Sequence, residues 1–302
     1  NSDFQKISYS YTKSGLLESS TNQFGGKISY EFDDFGTPKR IENHYGKNIL
    51  SYTKSGLPKK VIDGEGFETT YTYNSQGIRT SKQVTNKMEN KTTLTKYILE
   101  GNLIIKEIVT GDENYTVNYH YDKNNELVGF TYNNENYSYI KDLQGNINKI
   151  VDDEGDVMVE YYYSGYGILL NSIDNSNINL SNINPFRYRG YYQDKETLFY
   201  YLNARFYDSD AGRFITMDDI SYLGASNTIC SYNLFTYCEN NPIMYVDESG
   251  NFSSKNTKDI VFACKSDSVY RKDGITIYDL NINNMNPNGE IKIYITENWI
   301  EI

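Results

Sequence analysis

The chain has 302 residues, a net charge of −11, and 31 tyrosines and 13 phenylalanines against one tryptophan. An acidic chain repels phosphate backbones, which counts against nucleic-acid binding by the repeat region. No run reaches the roughly 18 apolar residues of a membrane span. The two histidines, His44 and His120, and the three cysteines, Cys230, Cys238 and Cys264, form no C-x-x-C or His/Cys cluster. They predict buried thiols rather than a disulfide framework, and neither a metal nor a cofactor. Many Tyr, Thr, Ile and Val, with Gly, Asn, Asp and Ser between them, predict a mainly β protein. The high aromatic content argues against disorder.

From the N-terminus a unit recurs. Tyr9-Ser-Tyr11-Thr-Lys-Ser-Gly15 returns as Tyr30-Glu-Phe32-Asp-Asp-Phe-Gly36, and Ser51-Tyr52-Thr-Lys-Ser-Gly56 follows. Further copies are Tyr71-Thr-Tyr73-Asn-Ser-Gln-Gly77, Tyr119-His-Tyr121-Asp-Lys-Asn-Asn125 and Tyr161-Tyr-Tyr163-Ser-Gly-Tyr-Gly167. Shortened copies, Asp63 to Gly66, Asp142 to Gly145 and Asp152 to Gly155, keep only the turn. Tyr-x-Tyr places two rings on one face of a strand. The Asp, Asn, Thr or Ser that follows can bond a backbone N–H two residues on. Three residues later Gly, or Asn125, tolerates the left-handed turn. An apolar return run, such as Ile147 to Ile150, completes a hairpin.

Antiparallel β-hairpins in series, over residues 1–170, predict part of a curved shell or a β-solenoid wall. The tyrosines read as wall packing. A surface adhesin or carbohydrate binder is the alternative, and it predicts exposed rings gathered in one patch. Asp33 and Asp34, or Asp152 and Asp153, do not qualify as catalytic pairs, because adjacent strand residues point to opposite faces. The Asn- and Ser-rich stretch 171–183 breaks the pattern and reads as a loop.

Beyond it the texture changes. Asn184-Pro-Phe-Arg187-Tyr-Arg189-Gly leads to Asp194-Lys-Glu-Thr-Leu198-Phe-Tyr-Tyr and Ala204-Arg205-Phe-Tyr-Asp208. Gly212-Arg213-Phe214-Ile-Thr-Met-Asp218, Asn233-Leu-Phe-Thr-Tyr237, Asn240-Asn-Pro242 and Asp247-Glu-Ser-Gly250 follow in order. Residues 184–250 resemble the Rhs-associated core segment of the Rhs/YD-repeat family, and the hairpins before them resemble its YD repeat. The resemblance implies a secreted or cell-surface protein whose repeats form a hollow β-shell, closed by the core segment as a plug. It implies a variable C-terminal tip, here residues 251–302, often a toxin.

Implied partners are the remainder of the shell upstream, and a secretion apparatus, a target cell surface or an immunity protein. The chain starts at Asn1 rather than Met and reads as part of something longer. In some members the core is an aspartic autoprotease that releases the tip. Carried over by motif, the acidic residues are Asp194 and Asp218, with Arg187 or Arg189 tuning their charge, and the cut falls near Gly250, Asn251 and Phe252. Two carboxylates sharing one proton can act as acid and base. Two departures stand out. Glu248 replaces the Pro of the family's D-P-x-G, and Leu198 occupies a position where the family carries Gly. The competing reading makes these Asp and Arg residues buried ion pairs and turn caps.

The tail predicts two strands, Ile275 to Leu280 and Ile291 to Ile295, joined through Asn286-Pro-Asn-Gly289. It has no histidine and no basic face, so no nuclease chemistry is legible in it.

Overall fold

The computed structural model describes residues 8–13, 16–21, 27–34, 36–43, 46–223, 229–247, 249–251, 254–255, 268–272, 275–280 and 291–296. The repeat forms sixteen strands: β1 (Ser8–Tyr11), β2 (Leu17–Thr21), β3 (Lys27–Phe32), β4 (Pro38–Asn43), β5 (Gly46–Tyr52), β6 (Pro58–Ile62), β7 (Phe67–Tyr73) and β8 (Arg79–Asn86). Then come β9 (Lys91–Glu100), β10 (Leu103–Gly111), β11 (Tyr115–Tyr121), β12 (Leu127–Tyr132), β13 (Glu135–Lys141), β14 (Ile147–Val151), β15 (Val157–Tyr163) and β16 (Leu169–Asp174). Each strand pairs with its sequence neighbours in one antiparallel sheet, and β1 does not close onto β16.

The turns follow the expected chemistry and add to it. Asp122 Oδ1 accepts the N–H of Asn124 at 2.8 Å and also that of Glu126 at 2.9 Å. Asp63, Asn74 and Asp142 repeat both bonds. Thr12, Thr53 and Ser164 make the four-residue bond with a hydroxyl. One acceptor thus closes a whole loop, and Gly77 at φ +81° or Asn125 at φ +62° takes the left-handed step.

The two tyrosines of the unit have different duties. After the first copy, whose Tyr9 is half exposed, the first is buried: Tyr30, Tyr71, Tyr119 and Tyr161 lie within one continuous core. The second lies past a register shift, as between Thr72 and Tyr73 or between Tyr162 and Tyr163. Its hydroxyl donates to a carbonyl at the start of the preceding strand: Tyr73 to Pro58 at 2.5 Å, Tyr121 to Ile104 at 2.9 Å and Tyr163 to Ile147 at 3.0 Å. Tyr52 makes the same bond to Pro38. Each such bond adds on the order of 1 kcal/mol and ties one strand pair to the next.

The stretch 171–183 is more ordered than its composition predicted. β16 runs to Asp174, and a single helical turn, α1 (Leu180–Ile183), follows. Asp174 holds the bend, accepting from the Ser176 N–H at 2.8 Å and the Ser181 N–H at 2.7 Å. The core segment then builds a second sheet from β17 (Tyr192–Gln193), β18 (Tyr200–Leu202), β19 (Arg205–Asp208) and β20 (Arg213–Phe214). Side chains alternate across it. Tyr201 and Phe206 join the core of the repeat sheet, whereas Tyr200, Leu202 and Tyr207 pack with Tyr188, Tyr191, Phe214, Tyr237 and Cys238. Burying each such ring contributes roughly 1.5–3 kcal/mol.

The strands β21 (Tyr245–Val246) and β22 (Ser254–Lys255) pair and carry the first compact unit to Lys255, past the boundary expected at residue 250. The second unit, 256–302, contains β23 (Ser268–Lys272), β24 (Ile275–Leu280) and β25 (Ile291–Thr296) in one antiparallel sheet. Its two expected strands are β24 and β25. The expected turn between them lies outside the described residues. No helix among the described residues is long and apolar enough to cross a membrane.

Candidate functional site

The carboxylates singled out by sequence fall into two separate buried clusters, one on each face of the β18–β19 hairpin. On the repeat side, Arg79 of β8 places Nη1 2.9 and 2.8 Å from the two oxygens of Asp194. Lys82 Nζ lies 3.3 Å from Asp194 and 2.7 Å from Glu196. The Tyr71 hydroxyl donates to Asp194 at 2.9 Å. Arg79 and Asp194 are both fully buried. The guanidinium lies 4.3 Å from the Tyr201 ring, 4.6 Å from Tyr192 and 4.8 Å from Tyr97, so ring faces replace the water it lost. Burial pushes the Asp194 carboxyl upward, but Arg79 and Lys82 outweigh it and hold it below the ordinary range. Beside them Glu107 of β10 accepts from Tyr119 at 2.7 Å and Tyr192 at 2.9 Å. Burial raises its pKa, overriding those bonds.

On the other side stands Arg205 of β19. Its Nη2 lies 2.8 Å from Asp218 and 3.4 Å from Asp247. Its Nε donates to the Gly250 carbonyl and its Nη1 to the Leu234 carbonyl at 3.0 Å. The guanidinium stacks 3.6 Å from the centre of the Phe214 ring. Burial pushes the Asp218 carboxyl up to about 6 against the pull of Arg205. It also raises Asp247. Asp247 Oδ1 accepts the Gly250 N–H at 2.8 Å, and the Tyr191 hydroxyl donates to the Asp247 carbonyl at 2.8 Å. Gly250 sits at φ +77°, and a Cβ there would stand 2.4 Å from the Leu202 carbonyl oxygen. Only glycine fits. The Asn251 N–H donates to Ser249 Oγ at 3.3 Å, and Phe252 lies outside the described residues.

Asp194 and Asp218, the two acidic residues expected to act together, share no partner among the described residues. The structure joins Asp218 to Asp247 instead, through one guanidinium. The expected tuning residue Arg187 bonds Gln193 at 3.2 Å and the Ser181 carbonyl at 2.9 Å, and lies over the Tyr161 ring. Arg189 donates to the Gln144 carbonyl at 3.2 Å and to the Pro242 carbonyl.

Arg79, Glu107, Arg205 and Asp247 were not singled out from the sequence as functional residues. Arg79 carried a signal. It is two residues past the turn glycine, where the other hairpins place Leu17, Pro38, Pro58 or Ile147. Those four residues are buried, so a charge at that position marks an internal partner. Among the described residues no group of three metal-ligating side chains converges.

Residues 100–243 match a family model described as the Teneurin YD-shell. The tRNA3(Ser)-specific nuclease WapA of Bacillus spizizenii is 28% identical over 282 residues, covering 80% of this chain and 12% of that protein. Salivary gland surface protein 1 of Aedes aegypti is 28% identical over 188 residues, covering 59% of this chain and 5% of that protein. The chain therefore spans only a small part of these relatives.

Among solved structures, a Photorhabdus luminescens Tc holotoxin pore superposes with a TM-score of 0.63 at 17% identity, covering 84% of this chain and 14% of that one. TcdB2–TccC3 without its hypervariable C-terminal region gives a TM-score of 0.60 at 18% identity, covering 82% of this chain and 13% of that one. At that identity the likeness establishes the fold. The hairpin unit, the ordered core motifs and these matches together support an Rhs/YD-repeat family.

Proposed function

We propose that this chain is a wall-and-plug module of a secreted or surface toxin-delivery protein, in which the shell encloses or presents whatever follows the core. The seating of the core on the repeat sheet carries this reading. The Arg79–Asp194 and Lys82–Glu196 pairs join sheet to core inside a single hydrophobic cluster. The remainder of the shell is the first partner to expect. An adhesin built on repeat tyrosines has less support, because Tyr30, Tyr71, Tyr119 and Tyr161 are buried. In the full-length protein, a reporter enzyme placed after residue 255 should resist added protease while residues 184–250 are present. Equal digestion with and without the core would overturn the reading.

A specific observation favours a second activity, self-cleavage by the core. Asp218 and Asp247 share Arg205, and that guanidinium also holds the Gly250 carbonyl. One carboxylate takes a proton from water as the water oxygen adds to the carbonyl carbon of the scissile peptide. The other, protonated, gives its proton to the leaving nitrogen, and the C–N bond breaks to leave an acid and an amine. Expression of the chain should yield a C-terminal fragment of about 50 residues by intact mass. Asp218→Asn should abolish it; an intact parent chain between pH 5 and 8 would sink this activity.

A further inference from the structure

The β18–β19 hairpin has two working faces, and the same two strands serve both clusters. Tyr201 pairs across the hairpin with Phe206, and Leu202 with Arg205. Tyr201 and Phe206 face the repeat sheet. The Tyr201 hydroxyl accepts the Arg79 backbone N–H at 2.8 Å, and the Phe206 ring packs at a tilt against Tyr71, centroids 5.2 Å apart. Leu202 and Arg205 face the other way. The Leu202 carbonyl lies against Gly250, Ala204 donates its N–H to the Ser249 carbonyl at 3.2 Å, and Arg205 holds Asp218, Asp247 and the Gly250 carbonyl. Asp194 starts the turn into β18. Its carbonyl accepts the Leu198 N–H at 2.8 Å, and its N–H donates to the Phe199 carbonyl at 2.9 Å.

We propose that Arg79 and Asp194 are positioning residues, whose pairing fixes the β18–β19 hairpin and through it holds Arg205 on the Gly250 carbonyl between Asp218 and Asp247. The core site is then competent only while the core is seated on the wall. Arg79 touches none of Asp218, Asp247 or Gly250; it acts through one hairpin. The role of Asp194 is accordingly to orient, not to exchange protons. This inference rests on the self-cleavage reading for its chemical consequence, but its structural half can be measured alone.

The test uses the full chain with Arg79→Lys, which keeps the charge and loses the planar guanidinium packed among the rings of Tyr97, Tyr192 and Tyr201, and Tyr201→Phe, which removes one hydroxyl. Lys195→Ala, at an exposed ion pair with Glu113, serves as the control. Amide hydrogen exchange at Ala204 and Gly250 should accelerate about tenfold in both hairpin variants and stay unchanged in the control. Unchanged exchange at both amides in a folded variant overturns the coupling, whether or not the chain cleaves itself. Where the parent cleaves, Arg79→Lys and Asp194→Asn should slow fragment release about tenfold while leaving the pH profile in place. A shifted or missing limb in Asp194→Asn would make Asp194 an acid or base and overturn the assignment. Failure of the parent to cleave removes the self-cleavage reading and leaves the exchange result to decide the coupling.

Discussion

Asp208 offers the sharpest test of how this core tolerates buried charge. The residue is 3% exposed. Oδ1 accepts the backbone N–H groups of Asp210 at 3.0 Å and Ala211 at 3.2 Å, while Oδ2 has no partner among the described residues. Burial, reinforced by Asp210, pushes its pKa up to about 7. Its unfolded value is about 3.9. The folded pKa is the higher one, so the folded state binds the extra proton. The penalty is fully present above pH 7, and it is relieved as pH falls from 7 towards 4.

Three pKa units at about 1.4 kcal/mol each set a ceiling of about 4 kcal/mol. Asp208→Asn keeps the Oδ1 acceptor and removes the charge, but it introduces an N–H pair that also needs partners, so a gain of about 1–3 kcal/mol at pH 8 is expected. That corresponds to roughly 2–10 °C in the melting temperature of the first unit. Thermal melts of parent and variant at pH 8 and pH 5 measure it, and the advantage should largely vanish at pH 5. A variant less stable than the parent by the same margin at both pH values would refute the argument that charge, rather than shape, dominates at this site.

Arg79→Met should cost about 3–5 kcal/mol in denaturant titration, because it leaves a fully buried Asp194 with the more distant Lys82 as its remaining cation. The double variant Arg79→Met with Asp194→Leu should recover most of that loss, and equal losses in single and double variants would contradict it. Leu198 sits at φ +61°, so Leu198→Gly should stabilise by about 0.5–1 kcal/mol as relief of the left-handed strain outweighs the lost partial burial; a lower melting temperature would count against strain. Tyr163→Phe should cost about 1 kcal/mol through the lost bond to Ile147, whereas Tyr162→Phe on the exposed side should be near neutral, as paired melts would show. Gly167→Ala places a Cβ 2.5 Å from the Tyr188 ring; a soluble variant melting with the parent would contradict that packing.

The local parts of this fold were legible because their causes are local. A turn acceptor, a glycine three residues on and a strand of alternating rings lie within one stretch of sequence, and Asp122 to Asn125 behave as that chemistry requires. The partner of Asp218 was not legible. Asp194 and Asp247 both lie far along the chain from it, and only the hairpin faces decide which carboxylate meets it. Arg205 hid in the same way, since strand alternation tells that it opposes Phe206 but not which neighbour each face meets. The stretch 171–183 was misjudged for a different reason. Its Asn and Ser side chains look like solvent-facing loop, yet Asp174 and Ser176 spend their oxygens on the N–H groups of the following turn.

The tyrosine bonds from strand to preceding strand have a consequence for size. Where the second tyrosine is present, at Tyr52, Tyr73, Tyr121 and Tyr163, it reaches only to the strand before its own, and no contact of that kind refers to the wall as a whole. Away from the strands that meet the core, length is therefore a free variable: a hairpin can be inserted or removed with its own turn while its neighbours keep their contacts. What cannot slide is the run of strands that meets the core, from Arg79 of β8 through Glu107 of β10 to Gln144 before β14. Those hairpins together are the fixed address against which the core is seated, and any lengthening of the wall has to leave their spacing to the core untouched.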